Sequence, residues 1–73
     1  MDTPWIRYDR EADAAYIYLA NEILSGGVAR TVSVDPQDIG GMVNLDLDHE
    51  GRIIGLEVMD ASKKLPQELL LAD

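Results

Sequence analysis

The chain has 73 residues, no cysteine, 47% hydrophobic residues and a formal net charge of −8, from six basic and fourteen acidic side chains. This length predicts a single domain over residues 1–73 without disulfides, and no segment reaches the roughly 18 consecutive apolar residues of a membrane span. The acidic balance repels phosphate backbones and anionic lipid, which argues against nucleic-acid and membrane partners. The first residues lack the basic and apolar regions of a signal peptide, so we expect a cytoplasmic protein.

Period-two alternation of apolar and polar residues predicts three β-strands in the first half of the chain. The first is short, over residues 5–8, and the second covers residues 14–20, where tyrosines alternate with aliphatic residues. The sequence Ser25-Gly26-Gly27 interrupts the pattern, and a third strand follows over residues 28–34.

Two further strands are predicted to form a hairpin after the loop at residues 35–41, which contains a proline and a glycine pair. These strands cover residues 42–48 and 53–59. A register that puts every large aliphatic side chain on one face pairs Val43 with Val58, Leu45 with Leu56 and Leu47 with Ile54. A connection with an odd number of residues needs a β-bulge to keep this phase, and Gly51 is free to take a positive φ in the turn.

The last part of the chain predicts short helical segments. Asp60 is a candidate cap for a helix that starts near Ala61, and Pro66 restarts the chain before a last helical turn or two over residues 67–72. The leucines expected to pack on the sheet are Leu65, Leu69 and Leu70. Together the elements predict an α+β fold, a small antiparallel β-meander of four to five strands with a short C-terminal helix.

A calcium loop is the nearest match among motifs that carry chemistry. Asp46, Asp48 and Glu50 alternate, Gly51 follows, and Glu57 stands six residues beyond the glycine, as in a twelve-residue EF-hand loop. Glutamate at the fifth ligand position is longer than the usual residue, and no helix leads into the segment. The predicted hairpin also accounts for these carboxylates as an outward-facing row, so we expect no metal site.

The sequence evidence for a catalytic site is equally weak. Asp46 and Glu57 are diagonal neighbours in the predicted hairpin, but a small sheet offers no obvious cleft for a carboxylate pair. His49 is the only histidine and lies at the hairpin tip, where a serine–histidine–aspartate arrangement would have to recruit Ser25, Ser33 or Ser62. The sequence therefore predicts no catalytic residues, no cofactor and no enzyme activity.

Three segments together resemble a known family. Residues 8–17 (YDREADAAYI), residues 43–58 and the sequence Asp60-Ala61-Ser62 resemble, in order, the signatures of bacterial domain-of-unknown-function family 2283. Ala15 stands where that family usually has leucine, and the loop at residues 35–41 is longer than typical. The family has no established activity, so the resemblance implies no catalytic residues. Members of that family look like short bacterial proteins that are sometimes encoded beside small toxin-like proteins. The resemblance therefore implies an interaction or antitoxin role.

These observations favour a non-catalytic protein–protein interaction module. One alternative is an antitoxin-like inhibitor of a small basic toxin, since an acidic domain suits a basic partner. Another is a protein that binds a cation or small ligand through Asp46, Asp48, Glu50 and Glu57. We also expect a homodimer, because the sheet face opposite the predicted core carries an apolar group: Tyr16, Tyr18, Ile53 and Met59, with Met42 nearby.

Overall fold

The computed structural model describes residues 5–71. The strands are β1 (Trp5–Asp9), β2 (Ala14–Tyr18), β3 (Arg30–Ser33), β4 (Val43–Leu47) and β5 (Ile53–Met59), and the helices are α1 (Pro36–Ile39), α2 (Ala61–Lys64) and α3 (Gln67–Leu70). The predicted α+β class and small antiparallel meander are confirmed. Among the described residues, no helix is long and apolar enough to cross a membrane.

All five strands form one antiparallel sheet in the order β1-β2-β5-β4-β3. The last three strands are a meander, and the hairpin of β1 and β2 joins it by pairing β2 with β5. Strand β5 therefore lies in the middle of the sheet, and the connection over residues 19–29 carries the chain from β2 to the opposite edge. The second and third strands are shorter than predicted, because residues 19–20, 28–29 and 34 fall outside them.

The predicted loop at residues 35–41 contains the one-turn helix α1, which the sequence analysis missed. The Asp35 carboxylate accepts the Gln37 backbone N–H at 2.9 Å, and Pro36 occupies the first turn, where it needs no hydrogen-bond partner. Gly40 ends the helix in the left-handed conformation with φ 67°. The residues interpreted as loop signals are here the start and stop signals of a helix.

The predicted hairpin register is confirmed over most of its length. Val43 pairs with Val58 and Leu45 pairs with Leu56, as expected. At the turn end, Leu47 pairs with Ile53 instead of Ile54, because the register shifts between Asp46 and Leu47. The connection over residues 48–52 has an odd number of residues, so a bulge restores the phase, and Gly51 takes the expected positive φ of 81°.

The core lies between one sheet face and the helices α2 and α3. Its buried residues are Ala15, Val43, Val58, Ala61 and Leu70, with Ile6, Tyr8, Val34 and Leu65 partly buried around them. The predicted packing of Leu65 and Leu70 is thus confirmed. The alternation along residues 14–20 places Leu19 on the same side as Ala15 and Ile17, but Leu19 is 48% exposed and lies one residue beyond the end of β2, where its N–H still donates to the Ile54 carbonyl at 2.9 Å.

The cap of α2 comes from a distant turn. The helix starts at Ala61 with Asp60 in the N-cap position, as predicted, but Asp60 has φ 51° and its side chain makes no capping hydrogen bond. Instead the Asp13 carbonyl accepts the Ala61 N–H at 2.9 Å, and the Asp13 carboxylate accepts the Ser62 N–H at 3.0 Å and the Ser62 hydroxyl at 2.7 Å. The Tyr8 hydroxyl donates to the same carboxylate at 2.6 Å. This cluster ties the first hairpin to the helices.

Candidate functional site

The sheet face that points away from α2 and α3 carries polar and aromatic side chains. We call it the open face, and the alternation of each strand directs to it Trp5, Arg7, Tyr16, Tyr18, Thr31, Ser33, Asn44, Asp46 and Glu57. Its side chains form two hydrogen-bonded groups that cross between strands. These groups, with the aromatic residues beside them, are the candidate functional site.

Asp46 is the centre of the first group. Its Oδ2 accepts the Tyr16 hydroxyl at 2.6 Å, and its Oδ1 accepts the Thr31 hydroxyl at 2.6 Å, so one carboxylate joins β2, β4 and β3. The Tyr16 ring reaches across β5 over Gly55, where a Cβ atom would overlap it. Burial and the hydrogen bond to Asp46 raise the pKa of Tyr16 far above its usual value, so this hydroxyl keeps its proton at neutral pH.

Glu57 ends the second group. The Ser33 hydroxyl donates to Asn44 Oδ1 at 2.8 Å, and Asn44 Nδ2 donates to Glu57 Oε1 at 2.9 Å. The register places these residues opposite one another on β3, β4 and β5, with Tyr16 and then Arg7 continuing the row on β2 and β1. A chain of two hydrogen bonds from β3 thus ends on the Glu57 carboxylate, which is itself exposed to solvent.

Aromatic side chains cover the β1–β2 end of the open face. Trp5 is 72% exposed and pairs with Tyr18, which packs edge-to-face on Tyr16 with ring centroids 4.8 Å apart. Beside them is a shallow depression of about 420 Å³ whose lining includes Arg7, Tyr16 and Glu57. One half of the face therefore offers rings and the other half offers carboxylates.

The two other carboxylates of the calcium-loop pattern belong to the β4–β5 turn. Asp48 Oδ1 accepts the backbone N–H groups of Glu50 and Arg52 at 2.9 and 2.8 Å. The Arg52 guanidinium contacts Asp48 Oδ2 at 3.2 Å and Glu50 Oε1 at 2.6 Å. Chiefly the Arg52 backbone N–H, together with that of Glu50 and the guanidinium, holds the pKa of Asp48 below its usual value.

The structure separates the four carboxylates of the calcium-loop pattern. Asp46 belongs to the Tyr16 group, Glu57 to the Asn44 group, and the turn residues to Arg52, so they do not wrap a common point. Within residues 5–71 there is no cluster of three or more histidine, cysteine, aspartate or glutamate residues that could hold a metal ion.

The histidine and the serines are also dispersed. His49 Nε2 lies 2.9 Å from the Gly26 carbonyl oxygen, which links the hairpin tip to the long connection before β3. Ser33 is bonded to Asn44 on the open face, and Ser62 is bonded to Asp13 at the start of α2. These residues form no nucleophilic arrangement.

The side-chain groups of the open face were not predicted. The contact between Tyr16 and Asp46 spans 30 residues of sequence and depends on the pairing of β2 with β5, which local periodicity does not specify. One signal was present, since polar residues alternate in phase along the third, fourth and fifth strands. Read together, they indicate a polar sheet face with several hydrogen-bonding partners.

Comparison with models of protein families assigns the chain to a family. A family model described as "Protein of unknown function (DUF2283)" matches residues 5–62, which is most of the chain and includes all five strands and the start of α2. Neither the curated proteins nor the solved structures give a significant match. The chain belongs to the DUF2283 family.

Proposed function

We propose that this member of the DUF2283 family is a non-catalytic protein–protein interaction module whose open face binds a positively charged segment of another protein. The observation that carries the proposal is the composition of that face, where the half-buried rings of Tyr16 and Tyr18 and the exposed Trp5 share one surface with the carboxylates of Asp46 and Glu57.

A basic side chain can contact both the aromatic half and the carboxylate half of the open face. Its charged end can form a charge-assisted hydrogen bond with Glu57, whose carboxylate is exposed, while its stem packs on Tyr18, the diagonal neighbour on β2. A second basic side chain of the same segment can stack on the exposed Trp5. The formal net charge of −8 adds a long-range attraction for such a partner and speeds the encounter at low salt. An antitoxin-like inhibitor of a small basic toxin is a special case of this function.

The hydrogen bonds of the site favour binding over catalysis. Both oxygens of Asp46 already accept a hydroxyl, and the raised pKa of Tyr16 keeps its proton from acting as an acid or base near neutral pH. The depression beside Glu57 is shallow and does not exclude water from a reacting group. The separation of the four carboxylates likewise gives no support to the cation-binding alternative.

The proposal is tested by titrating the ¹⁵N-labelled protein with an arginine-rich peptide while amide chemical shifts are followed. We expect saturable shifts at open-face residues of β2, β4 and β5, weakening as salt is added. Glu57→Gln removes one charge from the face and should weaken binding roughly fivefold, whereas the matched change Glu68→Gln on α3 should leave it unchanged.

Three results would reject the proposal. The first is a set of shifts confined to the helical side of the sheet, and the second is an equal response to a glutamate-rich peptide of the same length. The third is equal binding by the Glu57→Gln and Glu68→Gln variants.

A further inference from the structure

Strand β3 is an end strand of the sheet that residues 5–71 build, and all four of its residues are exposed. Its sequence, Arg30-Thr31-Val32-Ser33, has no proline and no lysine, and the register shift in the sheet lies in the β4–β5 pair. Proline, lysine and a β-bulge are three of the devices that prevent an edge from pairing with another chain, and β3 has none of the three; its one charged side chain is Arg30, at its first residue. The other end strand, β1, is contacted by α3. Of the two edges, β3 is the more open to a new strand.

The backbone of β3 has a defined phase. Val34 donates its N–H to the Val43 carbonyl at 2.9 Å, and these two residues are opposite each other in the continued register. In an antiparallel ladder the hydrogen-bonded residues alternate, so Val32 and Arg30 also bond to β4. The N–H and C=O groups of Thr31 and Ser33 therefore point away from the sheet.

We propose that β3 pairs with β3 of a second copy of this chain, antiparallel and centred on Val32, to form a symmetric dimer with one ten-stranded sheet. In this register Thr31 lies opposite Ser33 of the second copy, and Ser33 opposite its Thr31. Each pair exchanges two backbone hydrogen bonds, and these pairs use the groups that point outward. The inference concerns a different surface from the open face and does not depend on the basic partner.

Both sheet faces continue across this junction. On the core side, Val32 extends a row of paired apolar residues and would meet Val32 of the second copy; the row is Ile6, Ile17, Leu56, Leu45 and Val32. On the open face, Thr31 meets Ser33, a cross-strand pair of hydroxyl residues that is favourable in sheets. A shift by one residue would place apolar side chains against the polar face, which excludes odd shifts. Among the even shifts, the register centred on Val32 is the one that pairs both outward-pointing residues, Thr31 and Ser33, within the strand.

Charge does not oppose contact at this edge. Residues 23–34 are the longest stretch of the chain without an acidic residue, and they contain Arg30. The nearest open-face carboxylate is Asp46 on β4, which would be three strand spacings and two residues along the strand, about 16 Å in all, from its counterpart in the second copy. That separation exceeds the Debye length of about 8 Å at physiological ionic strength, so the repulsion is largely screened.

The open face is less suited to self-association than its tyrosines suggested. The Tyr16 hydroxyl is committed to Asp46, and hydroxyl, amide and carboxylate groups surround it. That face is more polar than the sequence pattern indicated, which leaves the β3 edge as the self-complementary surface.

The first test is the mass of the full chain by sedimentation equilibrium, from micromolar concentration to about 1 mM. We expect the mass to rise with concentration from 8.1 kDa towards twice that value. A mass that stays at 8.1 kDa over the whole range would overturn the dimer.

The second test is disulfide cross-linking, which is clean because the chain has no cysteine of its own. Val32 would face its counterpart as a non-hydrogen-bonded pair with Cα atoms about 4.5 Å apart, within the range that a disulfide spans. Val32→Cys should therefore form a covalent dimer rapidly under mild oxidation. Ile53→Cys, at a position 48% exposed on β5, which does not pair with β3, should cross-link much more slowly. Equal rates for the two variants would contradict the register.

The third test uses charge at the same position. Val32→Lys and Val32→Glu should each be monomeric alone, and mixing them should restore a dimer, because residue 32 faces residue 32 across the axis. Val32 is 37% exposed and lies outside the buried core, so these variants are expected to fold. The control Ile53→Lys, also at an exposed position, should leave dimerisation unchanged. A dimer that persists in both charged variants, or a mixture that stays monomeric, would refute the proposed pairing.

Discussion

Replacing Gly55 by alanine should destabilise the protein through the tyrosine that lies over it. An ideal Cβ at this position would overlap the Tyr16 hydroxyl and stand 2.5 Å from Cζ and 2.9 Å from Cε2. The ring must move, and its hydrogen bond to Asp46 and its edge-to-face contact with Tyr18 are then lost. Glycine is normally the weaker strand residue, so the expected sign is opposite to that of strand propensity alone.

The magnitude follows from three contributions. Loss of a hydrogen bond to a carboxylate costs about 1.5–2 kcal/mol, and loss of the aromatic contact costs about 0.5–1 kcal/mol. The lower conformational entropy of unfolded alanine returns about 0.5–1 kcal/mol. The net loss is about 1–2.5 kcal/mol, against a total stability of about 4–11 kcal/mol for a chain of this length. The variant should therefore still fold.

Urea unfolding measured in two backgrounds tests this reasoning. With Tyr16 present, Gly55→Ala should lower the urea midpoint by about 1–2.5 M, for a slope near 1 kcal/mol/M. In a Tyr16→Ala background no ring lies over position 55, so the same substitution should be neutral or stabilising. If Gly55→Ala has the same effect in both backgrounds, the ring is not what excludes a side chain there.

Two further predictions concern the helical side. Leu70→Ala removes a buried core side chain and should lower the free energy of unfolding by about 2–4 kcal/mol. The control Leu71→Ala, at a position 71% exposed, should change it by less than about 0.5 kcal/mol. Urea melts that rank the two variants the other way would contradict the assigned core. The second concerns pH, because hydrogen bonds from Tyr8 and then Ser62 hold the pKa of Asp13 below its usual value. Its stabilising effect is therefore complete above the unfolded-state pKa and is lost as pH falls through the lower folded-state value. Unfolding curves at pH values from about 6 to 2 should show a shallower acid loss for Asp13→Asn than for the unmodified chain, and identical slopes would rule out this role.

Local features of the fold could be predicted from the sequence, whereas contacts between distant residues could not. Alternation along the strands and the aliphatic pairs of Val43 with Val58 and Leu45 with Leu56 predicted the β4–β5 hairpin, since a slip of one residue would expose its apolar face. The same local signals located α2 and α3. They were misinterpreted at residues 35–41, where Asp35, Pro36 and Gly40 fit a loop or a one-turn helix equally well.

Local sequence patterns therefore predict the strands, most of the hairpin register and the apolar side of each strand, because these features depend on neighbours within a few residues. The pairing of β2 with β5 is a long-range contact that these patterns do not predict, and it brings Tyr16 to Asp46. The same long-range folding carries Asp13 to the start of α2 in place of the expected Asp60 cap. Side chains 30 and 49 residues apart in sequence have no local pattern that records their contact, since their distance is set by how the first hairpin docks on the meander.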